Sequence, residues 1–235
     1  MQKKHRKFRW MLGSLLLFSL AACQSNPVSE EATGSTEAIT ATEITIEPVN
    51  LQDQTTVDAA NGIFEESQVA DRALSDWEGD WQSVYPYLLD GTLDSVFTEK
   101  AEDTGEKTAE EYKEYYTAGY ESIFTGLKIS EDSITFYEGE TARTGTYVYS
   151  SYQILTYESG KKGVRYLFER TNDTADTPKY VQFSDHLIEP TASTHFHIYL
   201  GDENHSALFE EMDNWPTFYP AGMDGEEIVE EMLHH

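Results

Sequence analysis

From residue 133 to residue 200 the chain is patterned with a period of two. Ser133–Tyr137, Thr146–Leu155, Val164–Arg170, Lys179–His186 and His195–Leu200 are rich in Tyr, Phe, Val, Ile and Thr. Successive side chains of an extended segment point to opposite faces, so this alternation predicts strands with one buried face. The separators Glu138-Gly139, Glu158-Ser159-Gly160 and Asn172-Asp173 are turn formers. Consecutive antiparallel strands expose two edges unless the sheet closes on itself, so the pattern predicts a small antiparallel barrel.

Helical signals flank the strands. Leu74, Trp77, Trp81, Val84 and Leu88 fall at spacings of three and four, which predicts a helix capped by Asp71 or Ser75. A second helix is predicted over Lys107–Tyr120, starting near Thr104, and short ones over Ala207–Met212 and Glu226–Leu233. The expected fold class is mainly β with flanking helices (α+β).

The start of the chain is of another kind. Lys3, Lys4, Arg6, Lys7 and Arg9 precede an apolar run, Met11–Leu20, and then Leu20-Ala21-Ala22-Cys23. A basic segment, a short apolar segment and small residues make a signal peptide, and the run is too short to span a bilayer. The segment resembles the bacterial lipoprotein signal, which is cut before its cysteine. That resemblance implies a signal peptide over residues 1–22 and a diacylglyceryl group on Cys23, the chain's one cysteine. Gln24 to Asn61 holds no aromatic residue and is dominated by Thr, Ser, Glu, Ala and Gln. Such a segment is too polar to collapse. Residues 23–70 are therefore expected to be the lipidated cysteine and a disordered acidic tether, with the folded domain over residues 71–235.

Charge excludes some partners. The chain carries 43 Asp+Glu against 16 Lys+Arg, a net charge of −27. Nucleic acid needs a basic face, and an anionic membrane surface would repel this chain electrostatically. The surplus favours cations, although salt screens the field beyond about 8–10 Å.

The chemistry is concentrated in histidines. Between Gln24 and Asp185 there is none, and then His186, His195, His197, His205, His234 and His235 follow. In a strand His195 and His197 share a face, with Phe196 and Ile198 on the other. His186 ends the preceding strand, and the Pro190–Thr194 stretch supplies a turn that brings it opposite the pair. Three imidazoles then converge as in a three-histidine zinc site with an open fourth position. Copper and nickel also accept imidazole, so ligand type leaves the metal open. His205, a carboxylate or water is available as a fourth ligand. His234 and His235 sit at the chain's end, and Asp185 or Glu189 could orient a ligating ring.

Three longer motifs carry a resemblance. They are Leu74-Ser-Asp-Trp-Glu-Gly-Asp-Trp-Gln-Ser-Val-Tyr-Pro-Tyr-Leu88, Thr194-His-Phe-His-Ile-Tyr-Leu-Gly201 and Asn214-Trp-Pro-Thr-Phe-Tyr-Pro220. From Leu74 to its C-terminus the chain resembles the ZinT (YodA) family of bacterial zinc-binding proteins, which have a calycin-like barrel akin to lipocalins. The family's zinc histidines map onto His186, His195 and His197. The resemblance implies capture of Zn2+, with Cd2+ or other divalent metals as further cargo, outside the cytoplasm. It also implies delivery to the solute-binding protein of a zinc ABC importer. Some family members carry a His-rich segment before the domain, which this chain lacks. The expectation is a binding protein and not an enzyme. The alternatives are a calycin-type carrier of a small apolar ligand and a zinc hydrolase, although no serine elbow or His-Glu-x-x-His motif is present.

Overall fold

The computed structural model describes residues 51–157, 159–173 and 176–234, with side chains from residue 56 onward. The expected signal peptide, Cys23, the tether up to residue 50 and His235 lie outside the described residues.

Eight strands form a closed antiparallel barrel in chain order. They are β1 (Gly79–Ser83), β2 (Gly126–Ile129), β3 (Ser133–Glu138), β4 (Thr141–Thr156), β5 (Lys162–Arg170), β6 (Tyr180–Ser184), β7 (Phe196–Gly201) and β8 (Thr217–Pro220). β8 returns to pair with β1 (Trp81 opposite Pro220), so no barrel strand is left as an edge. The β3–β4 hairpin turns in two residues, with Glu138 opposite Thr141 and Gly139 at φ 60°, a conformation that favours glycine.

Alternation decides what faces inward. Val164, Tyr166 and Phe168 of β5, Val181 and Phe183 of β6, and Phe196 and Ile198 of β7 join Trp77, Trp81, Phe136 and Phe218 in one core. The rings pack in series: Trp77 stacks on Phe183 at 4.8 Å, Phe183 meets Phe196 at 5.2 Å, and Phe196 stacks on Phe218 at 5.8 Å between centroids. Side chains thus take the space in which a calycin carrier would hold an apolar ligand.

A second core lies on the outer wall. Tyr219 of β8 packs there with Val84, Leu88, Leu93, Phe97, Tyr112, Tyr120 and Ile228. Helices α2 (Tyr85–Leu89), α3 (Asp94–Thr104), α4 (Ala109–Tyr120) and α6 (Gly225–His234) contribute the others, except Val84 and Leu93, which immediately precede α2 and α3. α6 starts where Asp224 accepts hydrogen bonds from the Glu226 and Glu227 amides, at 2.9 and 3.0 Å, while Glu227 reaches back to the Asp224 amide. The remaining helices are α1 (Leu51–Ala60) and α5 (His205–Phe209).

Four sequence expectations need correction. Leu74–Leu88 is not one helix but a 3-10 turn (Leu74–Trp77), β1 and α2. Gly79, at φ 148°, breaks the helical run, and Trp77 and Trp81 face the core from a turn and a strand, with Trp81 Nε1 donating to Trp77 O at 2.8 Å. All five periodic residues are buried, so the pattern marked the core and misnamed the backbone. The second helix starts at Ala109 because Thr108 caps it reciprocally with Glu111. β6 ends at Ser184, short of His186, and β7 starts after His195. Finally, ordered structure precedes residue 71: α1 begins at Leu51, and Ala59, Phe64 and Val69 are buried in the barrel core. Three apolar anchors suffice there, although polar residues dominate the composition.

Candidate metal centre

The site grows from the alternation of β7. Phe196 and Ile198 enter the barrel, so His197 faces outward, and His195, just before the strand, lies on the same side. His195 is buried at 4% exposure, His197 is half-buried and His186 is the most exposed of the three.

β6 stops where Asp185 turns into the protein. Arg72 Nη1 donates to Asp185 Oδ1 at 2.6 Å, its Nε to Asp76 Oδ2 at 2.8 Å and its Nη2 to Thr191 O at 2.8 Å. The guanidinium lies 4.1 Å from the centroid of the Trp77 ring. Burial pulls the Arg72 pKa down, but the Asp185 and Asp76 carboxylates outweigh it and hold it above the ordinary value. Two backbone bonds complete the clamp, Ala70 N to Ile188 O at 2.9 Å and Ser193 N to Asp76 O at 2.8 Å. Between these anchors His186 takes φ 64°, the left-handed region that few non-glycine residues occupy. Asp185 fastens the loop through Arg72, and Glu189 is exposed.

The three rings converge. One nitrogen from each of His186, His195 and His197 lies within 4.8 Å of the others, and the Nε2 atoms of His186 and His197 are 3.3 Å apart. Tetrahedral zinc, with bonds of about 2.0–2.1 Å, spaces its nitrogens by about 3.3–3.4 Å. One edge of the donor set thus already has the spacing zinc requires.

The far side of two rings is held by the C-terminal segment. His197 Nδ1 lies 2.7 Å from Thr217 Oγ1, and that hydroxyl donates to Trp215 O at 3.0 Å. With its proton committed, the Thr217 oxygen accepts Nδ1–H, which leaves the His197 Nε2 lone pair for a metal. Tyr219 stacks on His195 at 5.3 Å and 19°, and its hydroxyl donates to Glu231 Oε2 at 2.8 Å. Burial and then the Glu231 charge push the Tyr219 hydroxyl far above the ordinary phenol value, so it stays a donor. The other Glu231 oxygen, Oε1, lies 3.1 Å from His195 Nδ1.

His205 is not brought to this group. It lies at the start of α5, its Nε2 3.7 Å from Glu169 Oε1 and its ring against Tyr180. Burial, opposed by the Glu169 charge, holds its pKa below the ordinary value. His234 is exposed at the end of α6. Thr217 and Tyr219 lie in the Asn214–Pro220 motif and alternate around Phe218, but no sequence signal marked them or Glu231 for a role beside the histidines.

Residues 55–235 match the family model for ZinT (YodA), periplasmic lipocalin-like zinc-recruitment. The chain belongs to the ZinT (YodA) family. It is 46% identical over 241 residues to the "probable metal-binding protein YrpE" of Bacillus subtilis (strain 168), covering 95% of both chains. It is 51% identical over 190 residues to the "zinc-binding lipoprotein AdcA" of Streptococcus pneumoniae serotype 4, which covers 81% of this chain and 38% of AdcA. This ZinT chain therefore spans well under half the length of that relative. The crystal structure of the Zn(II)-bound ZinT-like domain of Streptococcus pneumoniae AdcA superposes with a TM-score of 0.73 at 51% identity, covering 74% of this chain and 97% of that domain.

Proposed function

We propose that the protein captures Zn2+ outside the cytoplasm through His186, His195 and His197. It then passes the ion to the solute-binding component of a zinc ABC importer. The observation that carries this reading is the convergence of three imidazole nitrogens within 4.8 Å. Zinc is cargo here, and its fourth position is left to water or a carboxylate, because His205 lies at the start of α5 and is not one of the three converging rings. The family's zinc-recruitment description and the Zn(II)-bound AdcA domain support the choice of metal. The importer step belongs to this proposal; the zinc-binding lipoprotein AdcA, of which this chain matches only one part, supports its zinc-binding half. The lipidation of Cys23 belongs to the same reading: an acylated cysteine on a polar arm keeps the barrel near the importer. A carrier reading gains nothing from the aromatic-filled barrel.

Calorimetric titration of the metal-free protein with Zn2+ is expected to give one tight site. The double substitution His195→Ala, His197→Ala is expected to abolish it while the barrel still melts cooperatively. Parental affinity in a folded double variant would overturn the ligand assignment.

A further inference from the structure

We propose that Glu231 is a positioning residue for His195 and that it links docking of the C-terminal helix to metal binding. This rests on His195 being a zinc ligand.

The geometry is built in steps. The Asp224 cap fixes where α6 begins, and Ile228, fully buried in the outer core, fixes which face of α6 meets the barrel. Glu231 lies three residues beyond Ile228, on the same face. There its carboxylate divides between two partners: Oε2 accepts the Tyr219 hydroxyl at 2.8 Å, and Oε1 stands 3.1 Å from His195 Nδ1. Tyr219 is also the ring stacked on His195, so the imidazole is held flat on one side and at its edge by one connected pair.

A carboxylate beside Nδ1 holds a proton on that nitrogen and leaves the lone pair on Nε2. A metal at Nε2 draws electron density from the ring and strengthens the attraction between Nδ1–H and the Glu231 carboxylate 3.1 Å away. The two interactions reinforce each other. By reciprocity, the docked helix raises zinc affinity by the same factor by which zinc favours the docked helix. Thr217 does the corresponding work for His197 from β8, a strand of the barrel itself.

The test uses the full chain. In metal-free wild type, nitrogen NMR of the imidazoles is expected to place the His195 proton on Nδ1; a proton on Nε2 would overturn the proposal without any variant. For Glu231→Gln, competition against a fluorescent chelator is expected to show zinc binding about 10- to 100-fold weaker. Hydrogen exchange is expected to slow across α6 when zinc is added to wild type, and to slow less in Glu231→Gln. A folded Glu231→Gln protein with parental zinc affinity and parental α6 protection would overturn the proposal. Failure of the ligand reading looks different: His195→Ala would then bind zinc as the parent does, whereas here it loses binding.

Discussion

At the scale of single residues, the proposed site divides into three clustered histidines and the groups that hold them. The clustering was legible in the sequence. Histidine is absent from Gln24 to Asp185, so three within a dozen positions stand out, and the period of two puts His195 and His197 on one face. The groups that hold them were not legible. Thr217 and Glu231 come from β8 and α6, and a threonine or glutamate carries no local mark of which ring it will meet. Asp185 is a like case: its neighbour in sequence is His186, while its ion-pair partner Arg72 lies far back in the chain. That partnership carries a prediction. Arg72 and Asp185 side chains are both fully buried, so Arg72→Met leaves two carboxylates without their cation. Removing one member of a buried pair costs about 3–5 kcal/mol. Urea denaturation is expected to show a loss of that size, with weaker zinc binding as the His186 loop loosens.

Elements were legible where a clear period ran long enough, although α3, at 11 residues, went unpredicted. The β4–β5 hairpin and the helix over residues 109–120 declare themselves by period, whereas β1, β2 and β8 have four or five residues each, too few for periodicity to show. Their places are set by closure of the barrel, which is a property of the whole sheet. Contacts between elements are equally hidden. Gly119, near the end of α4, approaches Trp215 so closely that a Cβ there would overlap the indole ring. Trp215 N also donates to Gly119 O at 2.7 Å, and Trp215 O receives the Thr217 hydroxyl beside His197. Gly119→Ala would be stabilising in an isolated helix, yet here it overpacks a fixed neighbour. It is expected to lower stability by about 1–3 kcal/mol, measured by chemical denaturation.

For the molecule as a whole, the metal is expected to act as a stabiliser. A ligand that binds only the folded state at about 1,000 times its Kd adds about 4.1 kcal/mol. Thermal melting with excess zinc is therefore expected to rise by several degrees and to return on chelation, with no rise in His195→Ala, His197→Ala. An unchanged melting temperature in the parent would count against a folded-state site. The barrel itself was legible because its middle strands alternate so regularly; the start of the folded domain was not, since Phe64 and Val69 form no periodic pattern with their neighbours.

The clamp and the helix lie at opposite ends of the folded part. Residues 70–76 fasten the His186 loop, and residues 217–231 brace the other two rings, while β1 and β8 meet only when the barrel closes. A chain that emerges N-terminus first therefore presents all three histidines before it presents the groups that brace two of them.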